Sequence, residues 1–116
     1  MSHDGNEPDR AAKNESLFRE VNERVAALHE RFGAGVSDHD GFGFVCECAD
    51  PSCTDSITMS LAEYERVRSD PAAFVIVSGH QQEEVERVVS LHDGYAVVRK
   101  IGRAGALATA DDPRNA

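Results

Sequence analysis

The chain has 116 residues, 41% of them hydrophobic, and a formal net charge of −9 with a pI near 4.9. This acidity argues against a non-specific nucleic-acid binder, which needs a stripe of Lys and Arg to displace counterions from phosphates, and against binding to anionic membrane surfaces. No apolar run approaches the roughly 20 residues of a membrane span, and the N-terminus is polar rather than signal-like, so one soluble cytoplasmic domain is expected.

The first predicted element is an amphipathic helix that begins at Asn14. Residues 1–13 are polar and contain Gly5 and Pro8, and we expect them to form a disordered tail. Asn14 has a side chain suited to a helix N-cap, and Gly33 is placed to end the helix. Between them, apolar residues at spacings of four, four, three and four predict one stripe, with Arg, Glu and Asn on the opposite face. The stripe consists of Leu17, Val21, Val25, Leu28 and Phe32.

A cysteine-bearing β-hairpin is predicted after a glycine-rich loop at residues 33–41. Phe42–Cys48 alternates as a strand, Asp50-Pro51-Ser52 turns the chain, and Asp55–Met59 returns as a second short strand. The chain's three cysteines therefore lie on and around the tip of this hairpin, in a C-x-C-x4-C array. They are Cys46, Cys48 and Cys53.

A capping box, with Ser60 at the N-cap and Glu63 three residues on, predicts a short second helix that ends at Asp70-Pro71. Ala73–Val77 has the pattern of a buried strand and leads into the turn Ser78-Gly79-His80.

The last predicted elements are two strands, Val85–Val89 and Tyr95–Ile101, joined by a turn at His92-Asp93-Gly94. The first of them also fits a helix face, so both interpretations stay open. Residues 104–116 are rich in Ala, Gly and Asp, and we expect a flexible C-terminal tail there.

The clustered cysteines indicate a zinc site. Side chains two apart on a strand share a face, so Cys46 and Cys48 can point at one ion, and the Asp-Pro turn returns Cys53 to it. Three thiolates leave tetrahedral zinc one ligand short. Packing of free thiols in the core and redox chemistry are the alternatives.

His80 is the predicted fourth ligand, because it follows a buried strand and a glycine that frees the backbone. His92 is the main alternative, with Asp50, Asp55 or a water molecule behind it. A shell of three cysteines and one histidine is complete, which is typical of one structural Zn²⁺ rather than of a catalytic ion.

Together these elements predict an α+β fold. An N-terminal amphipathic helix packs on a small, mainly antiparallel sheet with a cysteine-bearing β-hairpin, and a second short helix covers the same face. Residues 14–103 are expected to form a single zinc-stapled domain between the two tails.

Several segments together resemble a group of small bacterial proteins of unassigned activity. The shared features, in order, are a FxCECxxxxC box, a helix with Glu-Tyr-Glu, a strand ending in Gly-His and a terminal G-Y-x-V-V-x-K strand. The similarity spans about residues 14–100 and implies that Cys46, Cys48, Cys53 and His80 act as a set, without implying an activity. The matching segments begin at Asn14, Phe44, Leu61, Phe74 and Gly94.

For function, the sequence predicts a regulatory or protein-interaction module that binds a protein partner through its acidic surface and first helix. The alternative is a thiol redox switch that releases zinc on oxidation. Bridges from Cys53 to Cys46 or Cys48 would close more easily than the tight Cys46–Cys48 pair.

Two other classes are less favoured. A zinc enzyme needs an open coordination position and a base, and Glu47, inside the C-x-C pair, is expected to point away from the metal. A nucleic-acid-binding module would need the scattered basic residues on one face. These are Arg66, Arg68, Arg87, Arg99, Lys100 and Arg103.

Overall fold

The computed structural model describes residues 7–32 and 42–114 of the chain, as three helices and two small antiparallel sheets. The predicted α+β class is confirmed, with an N-terminal helix packed on the sheets and a cysteine-bearing hairpin. Over this part of the chain, no helix is both long and apolar enough to cross a membrane. The elements are α1 (Glu7–Phe32), β1 (Phe42–Val45), β2 (Ser56–Met59), α2 (Leu61–Arg68), β3 (Ala73–Val77), β4 (Glu86–Leu91), β5 (Tyr95–Lys100) and α3 (Gly102–Ala110).

The cysteine hairpin is built from β1 and β2, which pair antiparallel from Phe42↔Met59 to Val45↔Ser56. Its buried side chains include Phe44, whose ring stacks on Tyr64 of α2 at a centroid distance of 4.5 Å. The predicted first strand is too long, because β1 ends at Val45 and the residues from Cys46 onward follow it. The cysteines therefore belong to a connecting segment, where the chain can turn towards a second element.

The second sheet has the order β3-β5-β4, and both neighbouring pairs are antiparallel. The segment Val85–Val89 lies mainly in β4, so the helical alternative for it is wrong. Strand β4 contains a bulge between Val88 and Ser90. Strand β3 is almost completely buried, which agrees with its continuous apolar sequence, and β5 is buried except at Arg99.

The capping box of α2 is present as predicted. The Ser60 hydroxyl accepts a hydrogen bond from the Glu63 N–H (3.0 Å), and the Glu63 carboxylate accepts one from the Ser60 N–H (2.9 Å). Two otherwise unpaired donors at the start of the helix are thereby satisfied. The helix ends at Arg68, just before Asp70-Pro71.

Both chain ends differ from the expectation. Helix α1 already begins at Glu7, with Pro8 in its first turn where proline is tolerated, so the predicted N-cap at Asn14 is wrong. Asn14 instead donates from Nδ2 to the carbonyl of Ala49, at 3.2 Å. Residues 1–6 and the predicted stop at Gly33 with its loop lie outside the described residues.

The expected C-terminal tail contains helix α3 and a buried ion pair. Gly105 allows this packing, because a Cβ there would lie 2.9 Å from the Lys100 carbonyl oxygen. Beyond the helix, the buried Asp112 carboxylate pairs with the Arg68 guanidinium, which also contacts Glu23 of α1 at 2.5 Å. These contacts join three distant parts of the chain.

The buried face of α1 is polar, which corrects the predicted burial of its apolar stripe. Leu17 and Leu28 of that stripe are 57% and 54% exposed, and Val21 is exposed as well. Val25 packs partly against the core, and the side chain of Phe32 is not among those described. The residues that α1 buries instead, at spacings of four, three and four, are Glu15, Arg19, Asn22 and Ala26.

Each buried polar side chain of α1 has partners from distant segments. The Arg19 guanidinium donates to the carbonyls of Pro71 and Ala108, both at 2.7 Å, and lies 4.5 Å from the centre of the Phe74 ring. The Asn22 side chain forms hydrogen bonds with both the N–H and the C=O of Val45, each at 2.8 Å. These partners account for the inward orientation of polar groups, since burial without them would cost free energy.

Glu15 belongs to a buried cluster in which the Lys100 ammonium contacts two carboxylates, those of Glu15 and Glu86. Glu86 also accepts a hydrogen bond from the N–H of Gln82, at 2.7 Å. Burial raises the pKa of Glu15 from 4.5 to about 7, despite the opposing attraction of Lys100, and the charges of Glu86 and Glu47 act in the same direction as burial.

The orientation of α1 can be tested with two substitutions. We expect Asn22→Leu to lower the free energy of unfolding by about 2–4 kcal/mol, because both main-chain groups of Val45 and the carboxylate of Glu47 lose a buried partner. Leu28→Ser, on the exposed side, should change it by less than about 0.5 kcal/mol. Urea unfolding followed by circular dichroism measures both, and the reverse ranking would mean that the apolar stripe faces the core.

The raised pKa of Glu15 gives a second prediction. The folded state holds this proton more tightly than the unfolded state, so the wild type should lose stability relative to Glu15→Gln as the pH rises from 4.5 to about 7. The loss should reach at most about 3 kcal/mol and stay constant at higher pH. Unfolding free energies of both proteins across this range measure it, and a flat difference would show that Lys100 keeps Glu15 ionised.

Candidate metal centre

The cysteine segment is fixed by main-chain hydrogen bonds to both sheets. The N–H of Cys46 donates to the carbonyl of Asp55, at 3.0 Å, just before β2. The next N–H, that of Glu47, donates to the carbonyl of Val75 in β3, at 2.8 Å. The segment therefore lies between the hairpin and the edge of the second sheet, with little freedom to move relative to either.

His80 reaches the same place from the end of β3. Its N–H donates to the carbonyl of Val77, at 3.0 Å, which closes a tight turn. Gly79 within this turn has φ of 96°, a left-handed conformation that glycine adopts readily and other residues rarely adopt. The glycine thus allows the chain to reverse and to direct the imidazole back at the cysteines, as the Gly-His pattern predicts.

The structure brings three sulfurs and one imidazole nitrogen within reach of a single metal ion. Nδ1 of His80 lies 3.5 Å from Sγ of Cys46 and 3.8 Å from Sγ of Cys53. With Cys48 included, one ligand atom from each of the four residues lies within 4.8 Å of all the others. No other group of three or more His, Cys, Asp or Glu side chains with this geometry occurs in the described part of the chain.

These distances fit a tetrahedral zinc shell. Bonds of 2.3 Å to sulfur and 2.0–2.1 Å to nitrogen give edges of about 3.6 Å between S and N and about 3.8 Å between two S atoms. Both measured sulfur–nitrogen distances agree with that geometry. The longest separations in the cluster would shorten by about 1 Å on binding.

One side of the centre is buried in the protein core, and the other side is partly exposed to solvent. Cys46 and Cys48 are buried with the core residues Phe44 and Ile57, whereas Cys53 is only half-buried and packs at the core's edge. Burial raises the pKa of the Cys46 and Cys48 thiols, because the thiolate form is poorly solvated there. A divalent cation at this position would reverse that preference, since it stabilises the thiolate directly.

Cys46 receives a further contact from the protein main chain. The N–H of Val77 lies 3.1 Å from its sulfur and donates to it. Such a hydrogen bond stabilises negative charge on sulfur. It also gives a partner to a main-chain N–H at the edge strand β3. Strand β3 and the cysteine segment therefore support one another.

The alternative ligands weighed from the sequence are not among the four clustered side chains. His92 is exposed on the β4–β5 turn, where Nε2 is 2.9 Å from the Ser90 hydroxyl and the ring stacks on Tyr95. The Asp50 carboxylate accepts hydrogen bonds from the N–H and hydroxyl of Ser52, at 2.9 and 2.7 Å. The Asp55 carboxylate lies behind the imidazole, 3.6 Å from Nε2 of His80.

Glu47 points away from the cysteines and into the core, where it is 0% exposed. One carboxylate oxygen accepts from Nδ2 of Asn22 at 2.7 Å and from the hydroxyl of Tyr64 at 3.3 Å; the other accepts from the N–H of Val75 at 3.0 Å. Burial raises the pKa of this carboxyl, and the hydrogen bonds from Asn22 and Val75 oppose that shift. The sequence predicts the direction of Glu47 but not its role in joining α1, α2 and β3.

Compared with known protein families, curated proteins and solved structures, the chain matches none of them.

Proposed function

We propose that this protein is a small interaction or regulatory module whose fold is locked by one structural Zn²⁺, with Cys46, Cys48, Cys53 and His80 as ligands. The observation that carries this proposal is the convergence of four ligand atoms from two separate segments within 4.8 Å of one another. Thiolate and imidazole form the donor set that zinc prefers in tetrahedral sites.

The proposed role is structural because four protein ligands complete the coordination shell. When bound, the ion supplies a cross-link between the β1–β2 hairpin and the end of β3. The ion would then add to the hydrogen bonds by which the cysteine segment already joins the two sheets. For a fold of this size, metal-binding free energy becomes folding free energy.

Partner binding is supported by the surface rather than by the metal. Exposed apolar side chains on α1, Leu17, Val21 and Leu28, are features often found where proteins meet other proteins. The net charge of −9 would steer the module towards neutral or basic partners.

Less supports the enzyme and nucleic-acid alternatives. Both Glu47 oxygens are occupied in the core, so this carboxylate is not placed as a base at the metal. Of the basic residues that a nucleic-acid surface would need, Arg68 and Lys100 are buried in ion pairs, and Arg99 pairs with Asp70 at 2.8 Å.

A redox switch is the second candidate, and the half-buried position of Cys53 favours it. An oxidant can approach this sulfur from solvent while Cys46 and Cys48 stay covered. Two-electron oxidation by peroxide would join Cys53 to one of its neighbours in a disulfide: the two zinc-bound thiolates give up two electrons, and the peroxide takes these with two protons from the solvent and becomes two water molecules. The ion would then lose two ligands and dissociate.

Metal analysis tests the main proposal. Protein purified without chelator should contain about one zinc per chain by mass spectrometry, and Cys46→Ser and His80→Ala should lose most of it. His92→Ala is the matched control, since it removes an exposed imidazole away from the cluster, and it should keep its zinc.

Excess free zinc at 100 times the dissociation constant adds about 2.7 kcal/mol of stability, so chelation should lower the melting temperature by roughly 10 °C. An unchanged melting temperature, or zinc retained by Cys46→Ser and His80→Ala alike, would contradict the proposal.

Peroxide treatment separates the structural site from the switch. Two of the three thiols are buried, and all three would be held by zinc. We therefore expect the metal content to be unchanged and all three thiols to stay reduced after mild oxidation. Zinc release can be followed with a chromogenic chelator and thiols by alkylation. The switch would instead be supported if the wild type rapidly released zinc and formed a disulfide, and if Cys53→Ser abolished both.

A further inference from the structure

The outer nitrogen of the His80 ring faces a carboxylate. While Nδ1 lies among the sulfurs, Nε2 on the opposite side of the ring is 3.6 Å from Oδ2 of Asp55. The His80 side chain is 33% exposed and that of Asp55 is 58% exposed, so the contact lies at the rim of the cluster. It is slightly longer than a hydrogen bond, and a small rotation of either side chain would close it.

This arrangement bears on which ring nitrogen carries the proton. A neutral imidazole has one N–H, and the nitrogen that binds a metal must be without it. An ionised carboxylate only accepts hydrogen bonds, so Asp55 favours the proton on Nε2. Nδ1, which faces Cys46 and Cys53, is then left as the bare donor.

Asp55 is itself held in place relative to the cluster. Its carbonyl oxygen accepts the N–H of Cys46 at 3.0 Å, and β2 begins at the next residue. The main chain of Asp55 thus fixes one ligand residue, and its side chain faces another. This double contact distinguishes it from a carboxylate that only happens to lie near a histidine.

We propose that Asp55 is a positioning residue that holds His80 in the tautomer protonated on Nε2 and directs Nδ1 at the metal. The inference rests on the zinc site proposed above and adds a residue outside the four ligands. Its effect runs through the histidine, because three thiolates already outweigh the two charges of Zn²⁺ and a further negative charge nearby has no direct attraction to offer.

The chain offers a matched control for the charge. Asp50 is a second carboxylate near the cluster, and its pKa is lowered mainly by its hydrogen bonds with Ser52 and also by the charge of His80. Its Oδ1 is occupied by Ser52, and Asn at this position keeps an acceptor oxygen. Asp50→Asn therefore removes a similar charge without touching the ring.

Zinc affinity of the full chain, measured by competition with a chromophoric chelator, is the first readout. Asp55→Asn should bind Zn²⁺ about tenfold more weakly than the wild type, at the low end of the usual range for such outer contacts because the pair is half exposed. Asp50→Asn should stay within about twofold. Circular dichroism of the zinc-bound variants shows whether each is folded.

The protonation of the His80 ring gives a second readout. In ¹⁵N-labelled zinc-bound wild type, long-range couplings should show His80 bound through Nδ1 with its proton on Nε2, and exchange of that proton with water should be faster in Asp55→Asn than in Asp50→Asn. Binding through Nε2, or equal affinities for the wild type and Asp55→Asn, would overturn the role of Asp55 alone. Failure of the wild type to bind Zn²⁺ would overturn the zinc site itself.

Discussion

The structure depends on the way one short segment, Cys46–Cys48, presents two opposite faces. On one side the two thiols meet Cys53 and His80. On the other side the fully buried carboxylate of Glu47 accepts hydrogen bonds from α1, α2 and β3. Since side chains alternate along an extended chain, neither arrangement can shift without the other. The candidate metal centre and the polar core are therefore two sides of the same constraint.

The core around Glu47 is unusually rich in charge for so small a fold. Among the described side chains, four buried carboxylates face three buried cations, which leaves an excess of one negative charge. A proton on Glu15, whose pKa burial raises to about 7, would cancel that excess. Buried ion pairs contribute little net stability, because desolvation offsets attraction, but they are costly to mispair and so favour one arrangement of the helices. The residues concerned are Glu15, Glu47, Glu86, Asp112, Arg19, Arg68 and Lys100.

The sequence predicts those parts of the fold and site whose signals are local. The capping box at Ser60, the buried strand β3, the C-x-C-x4-C array and the Gly-His turn each depend on residues a few positions apart, and the chemistry of the metal ligands links the last two. The buried face of α1 could not be predicted from periodicity, because the partners of Arg19 are carbonyls 52 and 89 positions away. Helix α3 could not be predicted from its own sequence for a related reason. Glycine usually weakens a helix, yet the missing side chain of Gly105 allows this helix to approach Lys100. The sequence offers Asp55 as an alternative ligand, whereas in the fold its carboxylate lies beside Nε2 of His80, outside the four clustered side chains.

The candidate centre lies at the end of β1, beside the smaller of the two sheets. A two-stranded sheet such as β1–β2 is at best marginally stable in water, so it depends on contacts with the rest of the fold. Cys46 and His80 are 34 positions apart, so a link between them removes more conformational freedom from the unfolded chain than a link within the hairpin. A metal cross-link between Cys46 and His80 would therefore add to the hydrogen bonds that hold the cysteine segment against β3. Because Glu47 lies between two of the linked residues, the same link would hold its carboxylate against Asn22 and Tyr64.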